Sequence, residues 1–168
     1  MSKSSISWSA MRKALEQDNI CDSLKGRIQY FQTQYRLGKT SSHHGYGRVS
    51  IRLDGKEIFQ SDWNSAYEKE WAAVQEMRKS TRDTDWKEAE RLARNLGGVY
   101  SFSSSFYAYH NNSIDDSLAS PDAVVRLFAI LDRRVGKRRL QKILPEVEKQ
   151  PEWLQVFFKL RLDAEGIQ

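Results

Sequence analysis

Disulfide chemistry is closed to this chain. Its 168 residues include one cysteine, Cys21, so no intramolecular bridge can form, and that usage suits a reducing compartment. Histidine is nearly as scarce. One Cys and three His at these spacings assemble no zinc set, and no metal or other cofactor is expected. No Gly-rich phosphate loop and no Gly-x-Ser-x-Gly elbow occurs. The longest apolar run is broken by Arg126 and falls far short of a membrane span, so no membrane partner is expected. The stretch Met1–Trp8 lacks an apolar h-region, so no secretory leader is read and the cytoplasm is the expected location.

What is present describes a folded domain. Hydrophobic residues make up 39% of the chain, with five Trp and seven Phe, and disordered segments lack such aromatics. The length suits one compact unit over residues 1–168. Charged residues reach 29%, the net charge is +5, and the mean hydropathy is −0.69 with a pI near 9.3. That balance permits an acidic protein or a nucleic acid as partner and requires neither.

Hydrophobic period divides the chain. Trp8, Met11 and Leu15 share a helical face over Ser7–Leu24, interrupted at Asp18–Asn19. Arg27–Arg36, rich in aromatic and β-branched residues, reads as a strand. Gly38–Gly47 is a loop with His43 and His44 at its tip. Val49, Ile51 and Leu53 alternate with Arg48, Ser50 and Arg52, and Asp54–Gly55 is the preferred two-residue hairpin turn. Lys56–Phe59 returns. A three-stranded antiparallel sheet is therefore expected within 27–60, wet on one face.

Residues 62–168 read as mainly helical, which makes the fold class α+β. A helix is expected to begin near Asp62, with Tyr67, Trp71, Val74 and Met77 or Arg78 along one face. A second, Thr84–Leu96, offers Trp86, Ala89, Ala93 and Leu96, and Gly97–Gly98 ends it. Val99–His110 has strand-like composition, yet its stripe of Val99, Phe102, Phe106 and Tyr109 favours a helix. Ser113 and Asp116 signal a short helix. Ser120, Pro121 and Asp122 then open the central helix, Ser120 as cap and Pro121 at the first position, and its apolar residues on nearly every side mark it as buried. Pro145 must kink or end the helix that follows. Pro151 opens the last one.

Two stretches carry a resemblance. They are Cys21–Tyr30, continuing to Tyr35–Arg36 and Ile51–Glu57, and the run Leu131–Leu140. Together they resemble a family of small uncharacterised bacterial proteins. The likeness covers the sheet and the C-terminal helices and is poor from about Trp63 to Ser105. It implies a bacterial setting and no site residues.

The candidate binding residues are cations. Arg133, Arg134, Lys137, Arg138 and Arg139 place five positive charges in seven residues. Arginine forks suit phosphate or carboxylate, whereas the plainer account is a solvated helix end where cations oppose the negative dipole. Arg48 and Arg52 lie on the wet sheet face. There they are joined by Tyr30 or by Phe31, Thr33 and Tyr35, and such aromatics can stack bases. His43–His44 reads as loop surface, Cys21 as a buried inert thiol, and Asp115–Asp116 as dipole-matching acids. With no reaction site assembled, the expected function is non-catalytic binding of another protein, of the adaptor or immunity type, with nucleic-acid binding as the alternative.

Overall fold

The computed structural model describes residues 5–35, 46–81 and 83–168. The anticipated histidine loop falls almost wholly outside them. Helix α1 (Trp8–Lys13) starts where Ser7 Oγ accepts the Ala10 N–H, and it widens into a π-helical stretch, Ala14–Asp18. A 3-10 turn at Asp22–Leu24 follows.

Strands β1 (Ile28–Tyr35), β2 (Tyr46–Leu53) and β3 (Lys56–Asp62) form an antiparallel sheet in chain order. The register opposes Tyr30 to Ile51 and Gln29 to Arg52, so Tyr30, Val49 and Ile51 enter the core together. The β2–β3 turn is left-handed at both positions, with φ of 51° at Asp54 and 81° at Gly55. A side chain at Gly55 meets open space, so only backbone strain opposes substitution. Gly55→Val is accordingly expected to cost about 1 kcal/mol or more. An unchanged denaturation midpoint would contradict that reading of the turn.

Helix α2 (Trp63–Arg78) is capped by Asp62, whose carboxylate accepts the Ser65 N–H at 2.8 Å. Helix α3 (Trp86–Asn95) begins two residues after the expected Thr84 and is capped by Asp85. The two form an antiparallel hairpin. Tyr67 and Trp71, on the apolar face that spacing predicts, are exposed, as are Trp86 and Leu96. The inward positions belong to Ala66, Val74, Ala89 and Ala93. The cause is distance: a Cβ on Gly98 would stand 3.0 Å from Ala66 Cα and 3.0 Å from the Ala93 carbonyl oxygen. Where the turn after α3 presses that closely on α2, the inward position admits alanine and excludes a ring.

Helix α4 (Ser103–Asn111) settles the ambiguous stretch as helix, beginning four residues later than its apolar stripe. Then come α5 (Ile114–Leu118), α6 (Ala123–Ile130), α7 (Lys137–Ile143), a 3-10 segment Leu144–Lys149 and α8 (Glu152–Ala164). Pro145 thus ends α7, as its ring and missing N–H require. The N-cap of α6 is Asp122, which accepts the Val124 N–H at 2.8 Å. Ser120 and Pro121 lie outside the helix.

All eight residues of α6 except Arg126 are buried. Around it packs one hydrophobic core running from Met11 through Tyr30, Ile51, Phe102, Phe106 and Tyr109 to Leu162. Arg126 keeps its charge by donating to the Ser120 carbonyl (2.7 Å) and to Gln150 Oε1 (3.0 Å).

Candidate binding surface around the α6–α7 junction

The basic run is not the tail of the central helix. Helix α6 stops at Ile130, and residues 131–136 form a turn before α7 begins at Lys137. Lys137, Arg138 and Arg139 therefore occupy the first turn of α7, the positive end of its dipole. No acidic residue stands in that turn and no side chain caps it. The expected dipole compensation is absent.

The turn is held rigidly from beneath. Asp132 has a fully buried carboxylate. It accepts from the Tyr109 hydroxyl, from the Arg134 N–H at 2.7 Å, and from the Arg134 guanidinium at 2.8–3.1 Å. The guanidinium also lies 5.9 Å from the Tyr109 ring centroid. Burial, and then the bond to Asp132, pushes the Tyr109 phenol well above its ordinary value. The same carboxylate raises Arg134. Asp132 also bridges Ile20 in antiparallel fashion, with Cys21 N–H donating to the Leu131 carbonyl and Arg133 N–H to the Asn19 carbonyl, both at 2.8 Å. From the other side the buried Arg161 donates to the Val135 carbonyl at 2.9 Å and pairs with Glu165. Each buried charge thus has a partner, as burial demands.

The seven anticipated site residues divide by what holds them. Arg134 is committed to Asp132. Arg139 forms a two-pronged pair with Asp115 at 2.9 and 3.0 Å and holds that carboxyl below the usual range. Arg133, Lys137 and Arg138 are exposed and form no close ion pair among the described residues, although Lys137 adds to the field that keeps the Glu165 carboxyl low. Lys142, which sequence reasoning passed over, joins them one turn beyond Arg138. Arg138, Arg139, Lys142, Gly136 and Asp115 line a surface depression of about 440 Å³.

Arg48 and Arg52 belong to a separate surface. Arg48 pairs with Glu57 at 2.8 Å and donates to Gln60 at 2.6 Å. Hydrogen bonds from Ser50, and then from Arg48, keep Glu57 below its ordinary value. Arg52 lies 4.4 Å and Arg12 5.0 Å from the Phe31 ring centroid. Tyr30 is turned into the core at 1% exposure, so Phe31 and Thr33 are the residues sharing the face with Arg48 and Arg52. No hydrogen bond or ion pair among the described residues links this face to the α7 cations.

The remaining candidates are also placed. Cys21 is buried. Asp115 and Asp116 occupy the first turn of α5, which Ser113 caps. His110 stacks on Phe106, ring centroids 5.7 Å apart. No group of three or more metal-ligating side chains occurs among the described residues. No helix there is long and apolar enough to cross a membrane.

Two features escaped sequence reasoning. One is a polar cleft of about 260 Å³ where Glu90, Arg94 and Tyr100 face Ser103 and Ser104. Arg94 is clamped between Glu90 (2.6 Å) and Asp122 (3.1 Å), and burial followed by Glu90 raises the Glu70 carboxyl. The other is an apolar groove of about 610 Å³ between α2 and α3. Neither has a local sequence signal, because each joins residues of separate elements.

The chain belongs to the SF0329 protein family, whose model matches residues 7–162. That match includes the Trp63–Ser105 middle, where the resemblance of the sequence motifs was weak. No curated protein and no solved structure matches the chain.

Proposed function

We propose that this member of the SF0329 family is a non-catalytic binding protein of the bacterial cytoplasm whose partner is the acidic surface of another protein. One observation carries the reading. Arg133, Lys137, Arg138 and Lys142 are exposed and form no close ion pair among the described residues, Arg133 on the turn fixed by the buried Asp132 and Arg161 and the other three on α7, which leaves that turn. Cations held on a rigid base lose little freedom when a partner neutralises them, and charge complementarity of this kind selects partners and speeds encounter.

The sheet face supports an acidic protein over a nucleic acid. Base recognition on a sheet uses open aromatic platforms. Here Phe31 already stacks with two guanidinium groups and Tyr30 is buried.

The test compares a polyglutamate peptide with a duplex oligonucleotide across a salt series. The peptide is expected to bind, weakening as salt rises. The variant with Arg133, Lys137, Arg138 and Lys142 replaced by Gln keeps helix propensity and spares Arg134 and Arg139. It should lose about tenfold or more in peptide affinity. Oligonucleotide binding should be weak and vanish near physiological salt. Tight duplex binding that survives there, with a salt slope that flattens by about one unit per cation removed, would promote the nucleic-acid alternative.

A further inference from the structure

The groove between α2 and α3 shares no residue with the basic turn, and part of its lining is self-complementary in charge. From α2 and the residues just after it come Lys69, Ala72, Ala73, Glu76, Met77 and Ser80; from α3 and its C-cap, Leu92, Asn95 and Leu96. The α2 positions form one stripe at helical spacing. Within it, two small residues, Ala72 and Ala73, lie midway between Lys69 and Glu76, which are of opposite charge, and Met77 and Ser80 continue the stripe beyond them.

We infer that the occupant of this groove is α2 of a second copy of the chain, related by a two-fold axis at Ala72–Ala73. An isologous contact brings position i of one chain to j of the other and j to i. With antiparallel α2 helices and that axis, Lys69 of each copy faces Glu76 of its partner, giving two equivalent ion pairs. Ala72 meets Ala73, and their small size lets the helices approach closely. Leu92 and Leu96 of each copy flank the crossing, and α2, α3 and their two mates form an antiparallel four-helix arrangement.

Charge and exposure favour this occupant. Among the described residues the Lys69 ammonium reaches only Ser65 Oγ, at 3.2 Å, and no carboxylate. Glu76 has only the solvent-exposed Lys79, an i,i+3 pair that yields readily. The two charges cancel within the stripe, so the groove offers no net attraction to a strongly acidic or basic partner. Leu96, at 64% exposure, is the most exposed large hydrophobic residue described. It also walls a second depression with Trp153 and Val156, which extends the apolar contact beyond α2.

Sedimentation velocity over a concentration series, about 1 to 100 µM, is the measurement. The full chain is expected to dimerise within that range. Lys69→Glu and Glu76→Lys each set like charges face to face twice per dimer, and each should weaken association about tenfold or more. The double charge swap restores complementarity and should return the dimer to within about threefold of the parent. An Ala72→Cys variant should crosslink to itself under mild oxidation, since the native Cys21 is buried. The substituted residues lie on the groove, and circular dichroism should report an unchanged fold. A monomer throughout the range would overturn the inference. So would a dimer indifferent to both reversals, or double-swap association no better than that of the single variants.

Discussion

Phe128→Ala is expected to destabilise the protein by about 4 kcal/mol. Phe128 is 2% exposed, and its ring centroid lies 5.8 Å from that of Tyr30, 5.9 Å from Phe102, 6.5 Å from Phe106 and 5.7 Å from Tyr109. Those four rings come from β1, the α3–α4 connection and α4, so one side chain joins the sheet to the helices. Truncation removes the transfer energy of the ring and leaves a cavity that several rigid neighbours cannot collapse to fill. Each well-oriented aromatic pair adds about 0.5–1.5 kcal/mol beyond its buried area, although the four contacts will not sum. The check is a urea titration in which the midpoint falls while the slope stays constant. Phe128→Leu should lose clearly less, because it leaves a smaller void. Equal losses in the two variants would remove the cavity argument.

Arg134→Gln is expected to cost on the order of 3 kcal/mol, whereas Arg138→Gln should stay within about 0.5 kcal/mol. The two residues are close neighbours in one basic run and look alike in sequence. Arg134, however, neutralises a carboxylate with no solvent access. Without it, Asp132 keeps the Tyr109 hydroxyl and the Arg134 N–H but loses its counter-charge, and an unpaired buried charge is far costlier than a lost surface pair. Adding Asp132→Asn should recover part of the deficit, since an amide needs no counter-ion. If both Arg variants prove equally mild, Asp132 does not depend on Arg134. The same distinction governs binding studies: neutralising all five residues from Arg133 to Arg139 removes a structural ion pair along with the surface charge.

The sheet was legible because its signals are local. Alternation at Val49, Ile51 and Leu53 and the Asp54–Gly55 pair act within a few residues, and both strands and turn form as expected. The burial of α6 was equally plain, since an element apolar on nearly every side has only one place to go, but its ends were not: the cap is Asp122 and the helix stops before the basic run. In the α2–α3 hairpin, helical spacing puts Tyr67 and Trp71 on one face with Val74, but spacing alone does not show which part of that face is covered. The closeness of Gly98 to Ala66 is a long-range fact that no window on α2 contains. The division of the cations had the same origin. Asp132 precedes Arg134 by two residues, but its burial depends on Ile20 and Tyr109, both distant in sequence. Lys142 was passed over because Leu140 and Gln141 separate it from the charge run, although helical geometry sets it beside Arg138.

The bridge between Ile20 and Asp132 also fixes an order of events. A polypeptide leaves the ribosome N-terminus first. The segment Asn19–Cys21 emerges early, yet its backbone partners at Leu131 and Arg133 are made only after most of the chain. The β2–β3 hairpin closes locally and needs no such wait. Nascent chains halted before Leu131 should therefore have an unsatisfied N-terminal edge, and release of the turn after α6, Leu131 to Arg133, is the step that closes the long loop.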